Sequence, residues 1–392
     1  MERFFAPCPR GLEVLLAADM AAAGGVDIKT VPGGVGFRGN WETCYRANLE
    51  SRIATRILWQ LAQGAYSSED DIYRLAMGVT WPALFAVDNT LRVNVTAQRS
   101  PLKSLEFITL RVKDAICDRF RDACGRRPSV DTRQPDTRIH LFLTDREATL
   151  YLDTSGEPLY LRGHKIAKVG APLKENLAAG ILRLSGWTPG VPLLDPMCGS
   201  GTFLIEAAQI ALDDAPGLSR EPGEFGFERL ASFDRAVWRR LLEAAAQRRR
   251  EATPQPIWGS DIDGDAVARS RQNLAHAGFD ALVTVERADL LERSPPAPEG
   301  ILIANPPYGE RLGETTELAA FYPRLGDALK QRFPGWRCYF LSADPQLPKL
   351  IGLKPSKKTP LFNGPLECRL YEFIVVAGRH RRHDGEPSAG RL

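Results

Sequence analysis

The residues Asn305-Pro306-Pro307-Tyr308 directly follow a short apolar run, Ile301-Leu302-Ile303-Ala304. Such a run, cut off by two prolines, reads as a buried strand that stops at its carboxyl end. Consecutive prolines fix φ and remove two backbone donors, so no neighbouring strand pairs with the chain there. The Asn305 side-chain carbonyl and the backbone carbonyls beside it are left facing a cleft, next to an aromatic ring. Two hydrogen-bond acceptors beside a stacking surface suit a planar group with an exocyclic NH2, such as a nucleobase or an amide.

A second segment supplies a reaction partner. The apolar run from Val191 to Leu194 leads into Asp195-Pro196-Met197-Cys198-Gly199-Ser200-Gly201-Thr202, and then into an apolar helical pattern, Phe203 to Ala208. Strand, glycine turn and helix form a nucleotide-binding unit, in which glycines admit a ligand close to the backbone and the helix start offers free N–H groups. The dinucleotide fingerprint asks for a third glycine three residues after Gly201, where this chain has Leu204. Its ribose-binding acid, about 20 residues on, is missing too. Acids come elsewhere: Asp195 before the turn, Asp261 at the end of the strand-like 256–261 run, and Asp289 after the next. That set suits a nucleoside bearing a cationic sulfur and no phosphates. Asp263 and Asp265 read as helix-cap or surface residues. Cys198 has no histidine near it in sequence and reads as a packed thiol, which disfavours covalent catalysis.

These residues carry a family resemblance. Asp195 to Phe203 and Asn305 to Leu312 resemble the THUMP-domain RNA guanine-N2 methyltransferases. Ala171-Pro172-Leu173-Lys174-Glu175 to Ala179 is similar to that family's segment before the first strand, and Asn363 to Leu370 to its C-terminal hairpin. The likeness spans Phe4 to Val376. It implies S-adenosyl-L-methionine as cofactor and RNA as partner, with large-subunit (23S) ribosomal RNA the first expectation and transfer RNA, the target of a related branch, the alternative. It also implies an α/β fold in three parts: an N-terminal ferredoxin-like domain (1–62), a THUMP RNA-binding domain (63–165) and a Rossmann-like class I methyltransferase domain with a seven-stranded, mostly parallel sheet (166–380). A tail, 381–392, reads as disordered. Adenine-N6 and glutamine-N5 methylation also fit Asn305 to Tyr308 but leave the first 165 residues unexplained. A scaffold with a vestigial cofactor fold stands against the intact acids at 195, 261 and 289.

The resemblance assigns roles along the crevice. Asp261 takes the ribose hydroxyls, and Asp289 the adenine amine with a backbone contact from Leu290. Ile262 packs on the adenine face. Asp195 either receives the cofactor's ammonium or orders the glycine turn. Pro172, Lys174 and Glu175 line the cofactor site, or the last two cap a helix. Asn305 and the Pro306 carbonyl accept the protons of the target amine, while Pro307 holds the turn and Tyr308 stacks on the base.

The bulk properties agree with this reading. At 392 residues the chain is too long for one core. A net charge of +3 permits nucleic acid without demanding it. Seven cysteines with no C-x-x-C spacing read as reduced thiols in a cytoplasmic protein, and suggest no metal site. The first residues offer too short an apolar stretch for a signal peptide, and no run reaches membrane-spanning length.

Around these motifs, helical spacing appears over 12–20, stopped by Gly24-Gly25, and again from Trp41 to Gln60. A strand is expected over 91–97, an amphipathic helix over 105–123, and a hairpin from 138–143 and 148–153. Strand-like runs at 191–194, 256–261, 282–286, 301–304 and 337–342, with helical patterns between them, predict a doubly wound sheet. Arg111, Lys113, Arg119, Arg121, Arg126 and Arg127 lie on one helix and its end, and could grip RNA phosphates. Asp114, Asp118 and Asp122 are interleaved with them, so a solvated helix face is the competing reading. The long 213–256 connection is either functional or a helical cover.

Overall fold

The structure, a computed structural model, describes residues 1–166, 173–306 and 314–376, with side chains from residue 320 in the last stretch. Pro172, Pro307, Tyr308 and the 381–392 tail lie outside the described residues. Two seven-stranded sheets organise the chain.

The first sheet is built from β1 (Glu2–Pro7), α1 (Glu13–Ala22), β2 (Val26–Val31), β3 (Gly34–Gly39), α2 (Trp41–Glu50), β4 (Leu58–Ala65), α3 (Glu69–Met77), β5 (Leu91–Ala97), α4 (Leu105–Cys124), β6 (Thr137–Leu143) and β7 (Glu147–Asp153). Its order is β2-β3-β1-β4-β7-β6-β5. Only β5 and β6 run parallel, because α4 carries the chain across between them. β6 shows why these residues make a strand: Thr137, Ile139, Leu141 and Leu143 are buried while the residues between them are not. The boundary read at 62/63 falls inside β4, which pairs with β1 on one side and β7 on the other.

The helix expected from Trp41 to Gln60 is shorter. Asn40 caps its start by accepting from Thr43 N–H, and α2 ends at Glu50. Ser51 turns extended, its hydroxyl donating to Asp19, and Arg52 reaches inward to the Gln209 and Asp214 carbonyls. Tertiary contacts override the helical spacing there, and the chain resumes as β4.

The second sheet follows α5 (Glu175–Leu184). It contains β8 (Leu193–Asp195), α6 (Thr202–Ala211), α7 (Arg235–Arg248), β9 (Ile257–Asp261), α8 (Gly264–His276), β10 (Thr284–Arg287), β11 (Gly300–Ala304), α9 (Glu314–Arg332), β12 (Trp336–Ser342), α10 (Leu347–Ile351), β13 (Lys357–Asn363) and β14 (Leu366–Ile374). The order is β10-β9-β8-β11-β12-β14-β13. Pairs are parallel as far as β12, and the closing hairpin is antiparallel. Successive residues of β11 feed different cores: Ile301 and Ile303 join one cluster, Leu302 and Ala304 the other. A strand apolar on both sides belongs to a sheet covered on both faces. No helix among the described residues is long and apolar enough to cross a membrane.

The 213–256 connection is a cover, and it covers the N-terminal unit rather than its own sheet. Phe227 packs at 4.5 Å from the Tyr45 ring of α2, and Phe225, Phe233 and Trp238 complete the cluster. Arg240 and Arg248 on α7 reach Glu42 and Glu50 on α2 at 3.4 and 2.8 Å.

Candidate active site

Parallel register puts the carboxyl ends of four neighbouring strands at one edge. β8 ends at Asp195, β9 at Asp261, β10 two residues before Asp289, and β11 just before Asn305 and Pro306. This is where open α/β sheets bind ligands. Asn305 is half-buried and Pro306 buried.

The glycine turn is wired to these acids. Asp195 accepts from Met197 N–H at 3.2 Å and Asp261 from Gly199 N–H at 3.0 Å. The Met197 N–H bond ties the start of the turn to the end of β8. Cys198 N–H donates to the Ser260 carbonyl, the Ser270 hydroxyl to the Gly199 carbonyl, and the Asn273 amide to the Ser200 carbonyl. Gly199 and Gly201 have φ of +52° and +81°, which disfavours any side chain. A Cβ on Gly199 would meet no atom of the described residues within 4 Å, so the turn leaves room among them for a ligand to approach. The glycine missing at position 204 is found on the facing strand. A Cβ on Gly259 would stand 2.3 Å from Leu204 Cδ1, so β9 rather than α6 supplies the room for helix–sheet packing.

Burial separates the acids. Burial pushes the Asp195 carboxyl well above the usual range, and nearby Asp261 adds to the rise. Asp261 is less buried and keeps a second bond from Asp263 N–H at 3.1 Å. Burial likewise raises the Cys198 thiol, as do Asp195 and Asp261, so it is a packed group and not a nucleophile. Asp289 accepts from Leu291 N–H at 2.9 Å, and Leu290 is buried. Ile262 is 63% exposed, an apolar face left open beside Asp261. Asp263 caps α8, accepting from Asp265 N–H.

Lys174 and Glu175 diverge. Lys174 takes the cap position of α5 without a side-chain cap bond, and its ammonium lies 5.0 Å over the Tyr160 ring. Glu175 pairs at 2.8 Å with Lys165, whose ammonium also donates to Thr202 Oγ1 at 3.3 Å, at the first residue of α6. Lys165 was not singled out from sequence, because its partners lie 10 and 37 positions away.

A buried polar network was also missed. Arg162 stands 3.2 Å from Glu206 with both side chains buried, and shares Gln209 Oε1 with Arg52. The one sign in the sequence was Glu206 inside an apolar helical run, since a buried carboxylate needs a partner.

The α4 cations are mostly committed. Arg111 pairs with Asp70, Lys113 with Asp114, Arg121 with Asp118 and Arg126 with Asp88. Arg119 and Arg127 have no ion pair among the described residues.

Comparison with known proteins agrees with this architecture. A model described as the RMKL-like methyltransferase domain matches residues 162–372, one for the THUMP domain matches 66–153, and one for the RlmL ferredoxin-like domain matches 3–58. The chain is 42% identical over 387 residues to a ribosomal RNA large subunit methyltransferase K/L of Syntrophotalea carbinolica, covering 96% of this chain and 54% of that one. It spans about half the length of that relative. It is 39% identical over 370 residues to a protein of Synechocystis sp. named as a candidate RNA methyltransferase, slr0064, covering 94% of this chain and 96% of that one. The solved structure of SMU.472, a candidate methyltransferase in complex with SAH, superposes with a TM-score of 0.86 at 29% identity, covering 96% of this chain and 99% of that one. The chain belongs to the RMKL-like methyltransferase family, its catalytic-type domain following a THUMP domain and an RlmL-type ferredoxin-like domain.

Proposed function

We propose that this chain transfers a methyl group from S-adenosylmethionine to the exocyclic N2 of a guanosine in RNA, with large-subunit (23S) ribosomal RNA as the substrate. The observation that carries the reading is one sheet edge at which three carboxylates and Asn305 meet on four adjacent strands. The residues fit the cofactor: room beside Gly199 among the described residues, a carboxylate at the end of β9 for ribose hydroxyls, and the exposed apolar face of Ile262 for an adenine. When bound, S-adenosylmethionine supplies an electrophilic methyl on a cationic sulfur.

The chain's own residues do the rest. Guanine N2 is a poor nucleophile because its lone pair is delocalised into the ring. Asn305 Oδ1 and the Pro306 carbonyl accept hydrogen bonds from its two N–H groups, which localises the lone pair on nitrogen and aims it at the methyl carbon. Once the S–CH3 bond has given way to the N–CH3 bond, the nitrogen sheds one proton to solvent. Holding both reactants in line can supply on the order of 7–11 kcal/mol at best. Tyr308 is assigned the stack on the base, a contact of roughly 1–3 kcal/mol. A paired guanine must first be flipped out, at a cost of a few kcal/mol. Large-subunit RNA is favoured by the name of the Syntrophotalea relative, and RNA in general by the THUMP match.

The test is direct. The purified chain is incubated with methyl-labelled S-adenosylmethionine and unmodified transcripts of 23S rRNA or tRNA, and digested nucleosides are read by mass spectrometry. Label in N2-methylguanosine from 23S rRNA is expected. Label only in tRNA would move the chain to the other branch, N6-methyladenosine would overturn the base, and no label in any RNA would overturn the activity.

A further inference from the structure

The N-terminal unit closes one side of the catalytic edge. The turn after β1 packs against β13 so tightly that a Cβ on Gly11, whose φ is +93°, would come within 2.3 Å of the Pro360 carbonyl. β14 runs antiparallel to β12 with Arg369 opposite Ser342, the last residue of β12. The β13–β14 turn at Gly364-Pro365 therefore projects beyond the edge that carries Asp195, Asp261 and Asn305.

Between these parts lies a cavity of about 190 Å³, lined by Arg10, Thr55, Lys174, Phe362, Asn363 and Gly364 among others. That is several times the roughly 30 Å³ share of one water molecule. Among the described residues no carboxylate lines it. Its cations differ from those of α4. Arg10 and Lys174 form no ion pair among the described residues, and each lies over an aromatic ring instead, Arg10 at 5.4 Å over Phe362 and Lys174 at 5.0 Å over Tyr160. Unpaired cations beside an aromatic ring and amide groups make a site for one phosphate and one base, the combination that single-stranded nucleic acid requires.

We propose that this cavity holds a nucleotide of the same RNA strand a few positions from the methylated guanosine, with its phosphate between Arg10 and Lys174 and its base against Phe362. The inference rests on the RNA-methylating reading above and moves Lys174 from the cofactor to the RNA. The site unites three segments far apart in sequence, so no single motif announces it. It also gives the ferredoxin-like unit a task at the reacting end of the molecule.

The experiment uses the full chain, a fluorescein-labelled 15-nucleotide single-stranded RNA of mixed sequence, and the 23S transcript. Arg10→Ala, at an exposed position, is expected to weaken RNA binding about fivefold to tenfold and to reduce the salt slope by about one. Phe362→Ala is expected to weaken it by roughly 5- to 100-fold, with Phe362→Tyr near wild type. Binding of S-adenosylhomocysteine stays unchanged in all three, and the loss of turnover falls in KM for RNA. If Phe362→Ala loses S-adenosylhomocysteine binding as well, it has misfolded, and Arg10→Ala decides. RNA affinity within twofold of wild type for Arg10→Ala and Phe362→Ala, in protein that still methylates RNA, would overturn the cavity alone. Wild-type protein that neither bound nor methylated RNA would overturn the parent reading and the cavity with it.

Discussion

Asn305 is where the proposed chemistry is most exposed to test. Its amide cannot take a proton, so its role is to hold and orient the target amine. Asn305→Ala should lower kcat by about 10²–10³, the range for removing one hydrogen-bonding group that acts in a transition state. S-adenosylhomocysteine affinity should be unchanged by calorimetry, and retained turnover would refute the role. His164 makes a different prediction. Gln209 Oε1 accepts from Arg52 and Arg162, so its NH2 must donate to His164 Nε2, at 3.1 Å. A protonated ring cannot accept that bond. Burial first, and then Arg162, bring the His164 pKa from 6.5 to about 4. Below pH 6.5 the unfolded chain gains a proton that the folded chain refuses, so stability falls as the pH drops from 6.5 towards 4 and then levels. The loss is at most about 3 kcal/mol, less where solvent reaches the ring. Thermal melts should show this acid sensitivity shrinking in His164→Gln. None of it was legible in the sequence, where the hydrogen-bond partner of His164, Gln209, lies 45 positions away.

Elements were more legible than side-chain partners, and the reason is local. The turn from Asp195 to Thr202 and the stop at Asn305 are written in consecutive residues, so strand ends and glycine turn were both found. The alternation in 138–143 gave β6 in the same way. α2 was misread because what ends it is remote: the contacts of Ser51 with Asp19 and of Arg52 with Gln209. The packing of α6 on β9 was half-read. Leu204 was recognised as the wrong residue for a dinucleotide fold, while its counterpart Gly259, some 55 residues on, was not. Gly259→Ala should push α6 off the sheet and destabilise the chain by about 1–3 kcal/mol, with weaker S-adenosylhomocysteine binding as the turn shifts. Leu204→Ala in the same chain should recover part of the loss, which denaturant melts of the double-mutant cycle would measure.

At the scale of the whole molecule, the two sheets are joined by buried polar groups and by the 213–256 cover. Arg52 comes from the N-terminal unit, Arg162 from the connection after β7, and Glu206 and Gln209 from α6. Arg162→Met leaves the Glu206 carboxylate buried without its cation and should cost about 3–5 kcal/mol, most of it regained in Arg162→Met/Glu206→Leu. Phe227→Ala should cost a similar amount, about 3–5 kcal/mol, by opening the cluster around Tyr45. Wild-type unfolding is expected as one transition, and either single variant should split it in two when followed by tryptophan fluorescence and circular dichroism. Such bracing has a consequence for substrate choice. An enzyme whose halves swing can adjust to where its target lies, whereas here the aromatic cluster around Tyr45 and the Arg52–Gln209 contact brace the two halves against each other. The span from the surface that grips the polynucleotide to the amine-holding Asn305 is then set like the gap of a caliper. Shifting the acceptor guanosine by one position along an otherwise identical transcript should silence it.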